Sequence, residues 1–239
     1  TQEPREVRRL MGVVTQADGL DTDLSVRQNL EVFGYLCGLS WRDAGRRADE
    51  VLEFFDLTAR GKDRVDELSG GMRRRLAIAR ALVNEPRVIV LDEPSTGLDP
   101  ESRVKVWEEL AVLKGQGVTI LMTTHYMDEA ETLSDRIAML HSGRLLDEAA
   151  PHELVARHAG GGVAEVRPTE PDRAARERLR EALDATGYPY RELGAVFRVT
   201  GRDGKSPALP AFPGARITER PANLEDVFLA LAGRGLGEE

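Results

Sequence analysis

Three short apolar segments predict buried β-strands in the first half of the chain. They span Met11 to Thr15, Val88 to Leu91 and Val118 to Met122. The second contains no polar residue, which is the composition expected of a parallel strand covered on both faces. Helical periodicity separates the strands, so we predict an α/β fold with a mostly parallel sheet. Arg136 to Leu140 and Arg144 to Asp147 are predicted to pair as a hairpin.

Polar residues at capping positions mark where the helices begin. Ser25 and Gln28 fit a capping box, in which the serine hydroxyl accepts from the backbone and the glutamine side chain bonds back to the serine. The other N-cap candidates are Ser40, Ser69 and Asp99, the last followed by Pro100. The segment from about 20 to 84 is therefore predicted to be a helical subdomain. A further helix is predicted from Pro4 to Leu10.

Three consecutive glycines at positions 160–162 predict a domain boundary. We expect residues 1–158 to form one domain and residues 159–239 to form a small α+β accessory unit. The predicted elements of that unit are strands at Ala164 to Arg167, Ala195 to Thr200 and Ala215 to Thr218, and helices at Asp172 to Ala185 and Leu224 to Ala232. No residues with evident chemistry occur in this tail.

The composition describes an ordinary globular chain. It has 239 residues, 33 Lys plus Arg and 41 Asp plus Glu, for a net charge of −8. The acidic balance argues against a dedicated nucleic-acid-binding protein. A single cysteine, Cys37, excludes an internal disulfide and fits a reducing compartment. No apolar run is long enough to span a membrane as a helix.

Two short motifs carry candidate chemistry. Asp92 and Glu93 follow a buried strand, at the edge where open α/β sheets bind ligands. The aspartate can hold Mg²⁺ and the glutamate can orient and deprotonate a water molecule. The turn Ser69-Gly70-Gly71 opens a helix, and its unshielded amides and the helix dipole can bind phosphate. Taken alone, the first motif could be a helix cap and the second an ordinary loop.

The motifs taken together resemble the ATP-binding subunits of ABC transporters, which are P-loop NTPases. In order along the chain, they are Gln16 of the Q-loop, the signature motif Leu68-Ser69-Gly70-Gly71-Met72, the Walker B strand Val88 to Leu91 with Asp92-Glu93, the D-loop up to Asp99-Pro100, and the switch histidine of Thr123-Thr124-His125. Five motifs in the family's order and spacing make the resemblance specific.

The resemblance implies a role for each matching residue. Asp92 and Gln16 would hold Mg²⁺, Glu93 would be the catalytic carboxylate, and His125 would contact the γ-phosphate of ATP. Gln16 would also sense the attacking water. The residues expected to bind ATP held by the opposite subunit are Ser69, Gly70, Gly71 and Asp99. A homodimer or a paired ATP-binding subunit is therefore implied.

The family's phosphate-binding loop, G-x-x-x-x-G-K-[ST], is not found upstream of Gln16. The decoy Gly204-Lys205-Ser206 fails because the required first glycine is Val199 and prolines follow. We therefore expect an incomplete P-loop NTPase core, a fragment of a longer subunit that lacks Walker A and is inactive by itself.

Met72 and the ending Leu224 to Leu229 resemble the drug-resistance and Nod-factor exporter group. This implies export of a drug-like or lipid-like compound through a separate integral-membrane subunit, no nucleic-acid partner, and a cytoplasmic location on the inner face of the membrane. Two alternatives remain: a non-hydrolysing regulatory partner that donates its signature motif in trans, and a DNA-repair-type ABC ATPase.

Other conspicuous residues are expected to be structural. Arg73, Arg74 and Arg75 should form a solvated basic face on the signature helix. Trp41 is expected to be a packing residue. The remaining histidines, His141, His152 and His158, should be solvated.

Overall fold

The computed structural model describes residues 7, 9–170, 172–201 and 205–234, which fall into two compact units. Unit 1 comprises Thr1–His125 and unit 2 comprises Tyr126–Glu239. Positions 4–6 and 8 of the helix predicted from Pro4 to Leu10 lie outside the described residues. The boundary predicted between residues 158 and 159 stays a prediction.

Unit 1 is built on a three-stranded parallel sheet. Its strands are β1 (Met11–Val14), β2 (Val88–Asp92) and β3 (Thr119–Thr123), with β2 in the centre. The parallel α/β fold class is confirmed, and each observed strand lies within one residue of its predicted bounds. The carboxyl ends of β2 and β3 are aligned, since Asp92 pairs with Thr123.

Only one face of this sheet is closely covered by described residues. Ile89 and Leu91 of β2 are fully buried on that face. On the opposite face, Val13 of β1 and Leu121 of β3 are 55% and 62% exposed. The expectation that β2 is covered on both faces is therefore wrong for the described part of the chain.

The covered face lies under the signature helix, and a glycine sets how closely the helix approaches. This helix, α3, spans Gly70–Leu82 and packs on β1. A Cβ atom on Gly12 of β1 would lie 2.5 Å from the backbone oxygen of Ala81. Any side chain larger than hydrogen at Gly12 would push the helix off the sheet.

The helical subdomain forms largely as predicted. It contains α1 (Val26–Leu36), α2 (Trp41–Phe54) and two short 3₁₀ turns at Thr58–Arg60 and Val65–Glu67, which lead into α3. The capping box is confirmed, since Ser25 Oγ accepts from the Gln28 amide and Gln28 Oε1 accepts from the Ser25 amide. After β2, the helix α4 (Pro100–Gly115) begins at its predicted cap, Asp99.

One aromatic residue of this subdomain is on the surface. Trp41 is 56% exposed and stacks on Tyr35, with ring centroids 4.6 Å apart. The expected packing of Trp41 is against Tyr35 at the surface, because Trp41 is the first residue of α2 and lies on its solvent side. Together with Leu36, which is 75% exposed, these two rings form an apolar surface.

Unit 2 contains two smaller cores. The first joins α5 (Met127–Leu133), the antiparallel hairpin β4 (Ile137–His141) and β5 (Arg144–Ala149), α6 (Pro151–His158) and α8 (Leu224–Arg234). The hairpin turns at Ser142 and Gly143, both with positive φ, as a two-residue turn requires.

The second core lies between a four-stranded antiparallel sheet and one helix. The strands are β6 (Val163–Pro168), β7 (Tyr190–Leu193), β8 (Val196–Thr200) and β9 (Ala215–Arg220), in the order β7-β8-β6-β9, and the helix is α7 (Arg173–Thr186). The predicted strands and helices of this region are confirmed. The sequence reading missed β7, α5 and α6, all of eight residues or fewer.

Candidate functional site

Glu93 lies at the carboxyl end of the central strand of unit 1, in an unusual backbone conformation. Its φ is +48°, in the left-handed region that non-glycine residues rarely adopt. Its amide donates to the Thr123 carbonyl at 3.0 Å, so the ladder with β3 extends one residue beyond β2. A left-handed residue costs about 1–3 kcal/mol and persists only where its surroundings hold it.

The Glu93 carboxylate joins three other side chains. His125 Nδ1 lies 3.1 Å from Oε1, while Oε2 accepts from Thr96 Oγ1 at 3.0 Å and from Gln16 Nε2 at 3.4 Å. Because an ionised carboxylate can only accept, His125 Nδ1 would be the donor to an ionised Glu93. The fold thus brings together Gln16, Glu93 and His125, the residues predicted to be catalytic, from three separate segments.

Asp92 presents an exposed carboxylate beside this group. Its Oδ1 accepts a short hydrogen bond from Thr123 Oγ1, its partner in the strand register. No group of three or more His, Cys, Asp or Glu that could hold a metal occurs in the part of the chain that the structure describes. Proteins commonly hold Mg²⁺ through one or two carboxylates together with substrate phosphates. The hard oxygen of Asp92 fits a metal that arrives with a nucleotide.

The predicted phosphate-binding turn begins helix α3. Ser69 is its N-cap, with Oγ accepting from the Met72 amide at 3.2 Å. Ser69 and Gly70 are both exposed, and a Cβ on Gly70 would meet nothing within 4 Å. The start of α3 therefore has the open, donor-rich geometry on which the prediction was based.

Gly71 and Asp99 meet at a third residue, Ser102 of α4. A Cβ on Gly71 would lie 2.4 Å from Ser102 Oγ. Asp99 accepts from the Ser102 amide at 2.9 Å and from its hydroxyl at 2.7 Å. These bonds hold the pKa of Asp99 below its usual range. Ser102 therefore joins the signature turn to the D-loop within one chain.

The basic face predicted on α3 is largely absent. Arg73 is exposed, but Arg74 and Arg75 are only 5% and 9% exposed. Arg75 donates to the Phe55 carbonyl at 2.8 Å and lies 3.6 Å from a Glu109 carboxylate oxygen. The prediction is wrong for these two residues because α3 is covered on most of its circumference.

One of the three remaining histidines also departs from its prediction. In unit 2, His158 Nε2 lies 2.6 Å from Asp147 Oδ2, and its side chain is only 16% exposed. The same hydrogen bond lowers the pKa of Asp147. His152 is exposed as predicted, while His141 is half-buried and its ring meets the Phe228 ring in a T-shaped contact. Burial of His158 at the end of α6 went unpredicted because α6 itself was missed.

Two threonines of the site had no predicted role. Thr96 supports Glu93 from three residues along the chain, and Thr123 supports Asp92 from the neighbouring strand. Aligning the ends of the predicted parallel strands would have placed Thr123 opposite Asp92. Arg74 left no comparable signal, since the helix pattern does not distinguish a buried arginine from an exposed one.

Comparison with known proteins finds relatives of one kind. A family profile described as "ABC transporter" matches residues 1–96. The Nod factor export ATP-binding protein I of Burkholderia orbicola (strain AU 1054) is 46% identical over 232 residues, covering 96% of this chain and 75% of that protein. The protein of the same name from Cupriavidus metallidurans is 43% identical over 236 residues, covering 98% and 76%.

Two solved structures share the fold. A dimeric post-hydrolysis state of the ATP-binding cassette MJ0796, bound to ADP and Pi, matches with a TM-score of 0.55 and 29% identity, over 62% of this chain and 66% of that one. The protein cbiO1 of Clostridium perfringens, part of the ABC transporter complex cbiONQ, matches with a TM-score of 0.58 and 29% identity, over 63% and 61%.

Proposed function

This chain belongs to the ATP-binding subunits of ABC transporters, an ATPase family that uses ATP and Mg²⁺, and we propose that it powers the export of a drug-like or lipid-like compound through a separate membrane subunit. The exported compound is proposed from the relatives named for Nod factor export, at 46% and 43% identity.

The observation that carries this proposal is the hydrogen-bonded group around Glu93. Two donors on Oε2 and one on Oε1 fix both carboxylate oxygens. A carboxylate held in this way can accept a proton from an attacking water, which is the work of a general base. Gln16 can orient the same water through its amide group.

The residues beside Glu93 fit the nucleotide that such chemistry needs. Asp92 would hold Mg²⁺ together with ATP phosphates, and the metal would neutralise charge that develops during phosphoryl transfer. His125, which lies beside Glu93, would contact the γ-phosphate.

A second ATP-binding subunit is part of the proposal. Ser69, Gly70 and Asp99 are exposed, so a facing subunit could reach them. A dimeric ATP-binding cassette with bound ADP and Pi is among the structural neighbours. We therefore assign these residues to a nucleotide held by the partner, in a homodimer or a paired heterodimer.

A membrane subunit is the other proposed partner. No helix in the described ranges is long and apolar enough to cross a membrane. The apolar surface of Tyr35, Leu36 and Trp41 in the helical subdomain would pack against the membrane subunit. One structural neighbour, cbiO1, is itself part of an ABC transporter complex. We propose that the chain lies on the cytoplasmic side of the membrane, beside that membrane subunit.

The test compares Glu93→Gln with a matched change at an exposed glutamate, Glu53→Gln. The complete subunit is reconstituted with its membrane partner in lipid vesicles, and ATP hydrolysis and export of an amphipathic dye or a fluorescent lipid are measured. Removing a general base should lower kcat by roughly 100- to 10,000-fold. Glu53→Gln should leave it within about twofold, since Glu53 is on the solvent side of α2.

Three outcomes would contradict the proposal. Unchanged hydrolysis in Glu93→Gln would remove Glu93 from the chemistry. Normal export with no hydrolysis attributable to this chain's own site would favour the regulatory partner instead. Hydrolysis that rises with added DNA but not with the exported compound would favour the DNA-repair type.

A further inference from the structure

Arg74 lies in the interior beneath the Glu93 group, and every nitrogen of its guanidinium donates to a backbone carbonyl. Nε donates to Pro94 at 2.8 Å, and Nη1 to Thr15 at 2.7 Å. Nη2 donates to Asp92 at 2.8 Å and to Glu93 at 3.1 Å. With 5% of its surface exposed, Arg74 acts on these carbonyls out of reach of solvent.

The four carbonyls belong to the two chain segments that carry Gln16 and Glu93. Thr15 directly precedes Gln16, and the other three acceptors form the turn at the end of β2. The side chains of Gln16 and Glu93 meet at 3.4 Å across the same gap. One guanidinium therefore fixes the backbone on both sides of this contact.

The geometry also accounts for the left-handed conformation of Glu93. The amide of Glu93 is held by Thr123, and its carbonyl is held by Arg74. A strained residue persists when bonds on both sides over-determine it. Without the bond to its carbonyl, Glu93 could relax toward ordinary φ values and carry its carboxylate away from Gln16.

An arginine suits this position better than a lysine. Burying a cation is costly unless hydrogen bonds and an opposite charge compensate it. Here four carbonyls do so, together with an Asp18 carboxylate oxygen 3.7 Å from Nη1. The planar fork of arginine directs donors along several fixed directions, whereas an ammonium is a compact point with three donors.

We propose that Arg74 is a positioning residue for ATP hydrolysis: it locks the ends of β1 and β2 so that Gln16 and Glu93 meet. This inference rests on the proposed role of Glu93. It predicts a larger loss in the chemical step than in nucleotide binding, since the guanidinium holds the backbone on both sides of the contact between Gln16 and Glu93.

The experiment measures kcat and KM for MgATP in the complete subunit with its membrane partner. The variants are Arg74→Lys, Arg74→Gln and the exposed neighbour Arg73→Gln as control. A misplacement of about 1 Å can cost about 100-fold in rate. We therefore expect kcat of Arg74→Lys to fall by about 10- to 100-fold while KM changes by less than about threefold, and Arg73→Gln to resemble the wild type.

A double-mutant cycle with Gln16→Ala separates positioning from general stability. If Arg74 acts through the contact of Gln16 with Glu93, the losses in kcat of Arg74→Lys and Gln16→Ala will not add, because either change already breaks that contact. Amide hydrogen exchange at Gln16 and Glu93 should accelerate in Arg74→Lys and stay unchanged in Arg73→Gln.

Several results would overturn the inference. These are a kcat of folded Arg74→Lys within about twofold of wild type, additive losses in the cycle, and unchanged exchange at Gln16 and Glu93. If Arg74→Lys does not fold, Arg74→Gln is judged by the same criteria, because it leaves no buried charge. Glu93→Gln is measured alongside: its inactivity with a normal Arg74→Lys rejects only the Arg74 inference, whereas an active Glu93→Gln rejects the proposed function.

Discussion

Glu109 on α4 gives unit 1 a specific dependence of stability on pH. One carboxylate oxygen lies 3.6 Å from Arg75 Nη1, and the other, Oε2, is buried without a hydrogen-bond partner among the described residues. Burial raises the pKa of Glu109 from 4.5 to about 7, against the opposing effects of Arg75 and Lys105 and with a small addition from Glu108.

The sign of the effect follows from the raised pKa. The folded chain holds a proton on Glu109 between about pH 4.5 and pH 7, where the unfolded chain has released it. This contribution to stability is full below about pH 4.5 and is lost as the pH rises through about 7. A pKa shift of one unit corresponds to about 1.4 kcal/mol, so the pH-dependent contribution of Glu109 to stability is at most about 3 kcal/mol.

The assay is urea unfolding of the wild type, Glu109→Gln and the exposed control Glu108→Gln at about pH 5 and about pH 8. The glutamine at position 109 cannot ionise. The stability of Glu109→Gln relative to wild type should therefore rise by about 1–3 kcal/mol between the two pH values. Glu108→Gln should show no such change. An equal difference between Glu109→Gln and wild type at both pH values would refute the reasoning.

Two further substitutions test local geometry. Gly71→Ala should destabilise the chain by about 1–3 kcal/mol in a thermal-unfolding experiment, because its Cβ would lie 2.4 Å from Ser102 Oγ. Adding Ser102→Gly to the same chain should restore part of the lost stability. Full stability of Gly71→Ala would show that α3 and α4 separate freely. Ser25→Ala should lower the free energy of unfolding by about 1 kcal/mol in a urea titration, because it removes the cap of α1. Ser25→Asp should retain most of this stability, since aspartate is also a good N-cap residue. Equal losses in the two variants would contradict the capping role.

Much of the fold could be predicted because its signals are local. Caps such as Ser25 and Asp99 act on amides three residues away, and an apolar run such as Val88 to Leu91 has few alternatives to a buried strand. The short elements α5 and α6 were missed since seven or eight residues give too few turns for a helical period to stand out.

The residues of the site likewise fall into those that local sequence motifs predict and those that depend on long-range packing. Gln16, Glu93 and His125 were found through motifs, and their spatial grouping follows from parallel strands that end at one edge. The burial of Arg74 and Arg75 depends on long-range packing: their acceptors are at Thr15, at Phe55 and beyond β2. The local sequence pattern does not show which of three consecutive arginines will be buried with backbone carbonyls as hydrogen-bond acceptors.

Helix α3 carries two residues with different proposed roles a short distance apart. Ser69 at its N-cap is assigned to a nucleotide on the partner subunit, and Arg74 five residues later fixes the contact of Gln16 with Glu93. At 1.5 Å per residue the two positions are only about 7–8 Å apart along a stiff element. A nucleotide that displaced Ser69 would therefore act on the same stiff element that carries the guanidinium. Since thermodynamic coupling between sites is reciprocal, the occupancy of each site in the pair would report on the geometry of the other.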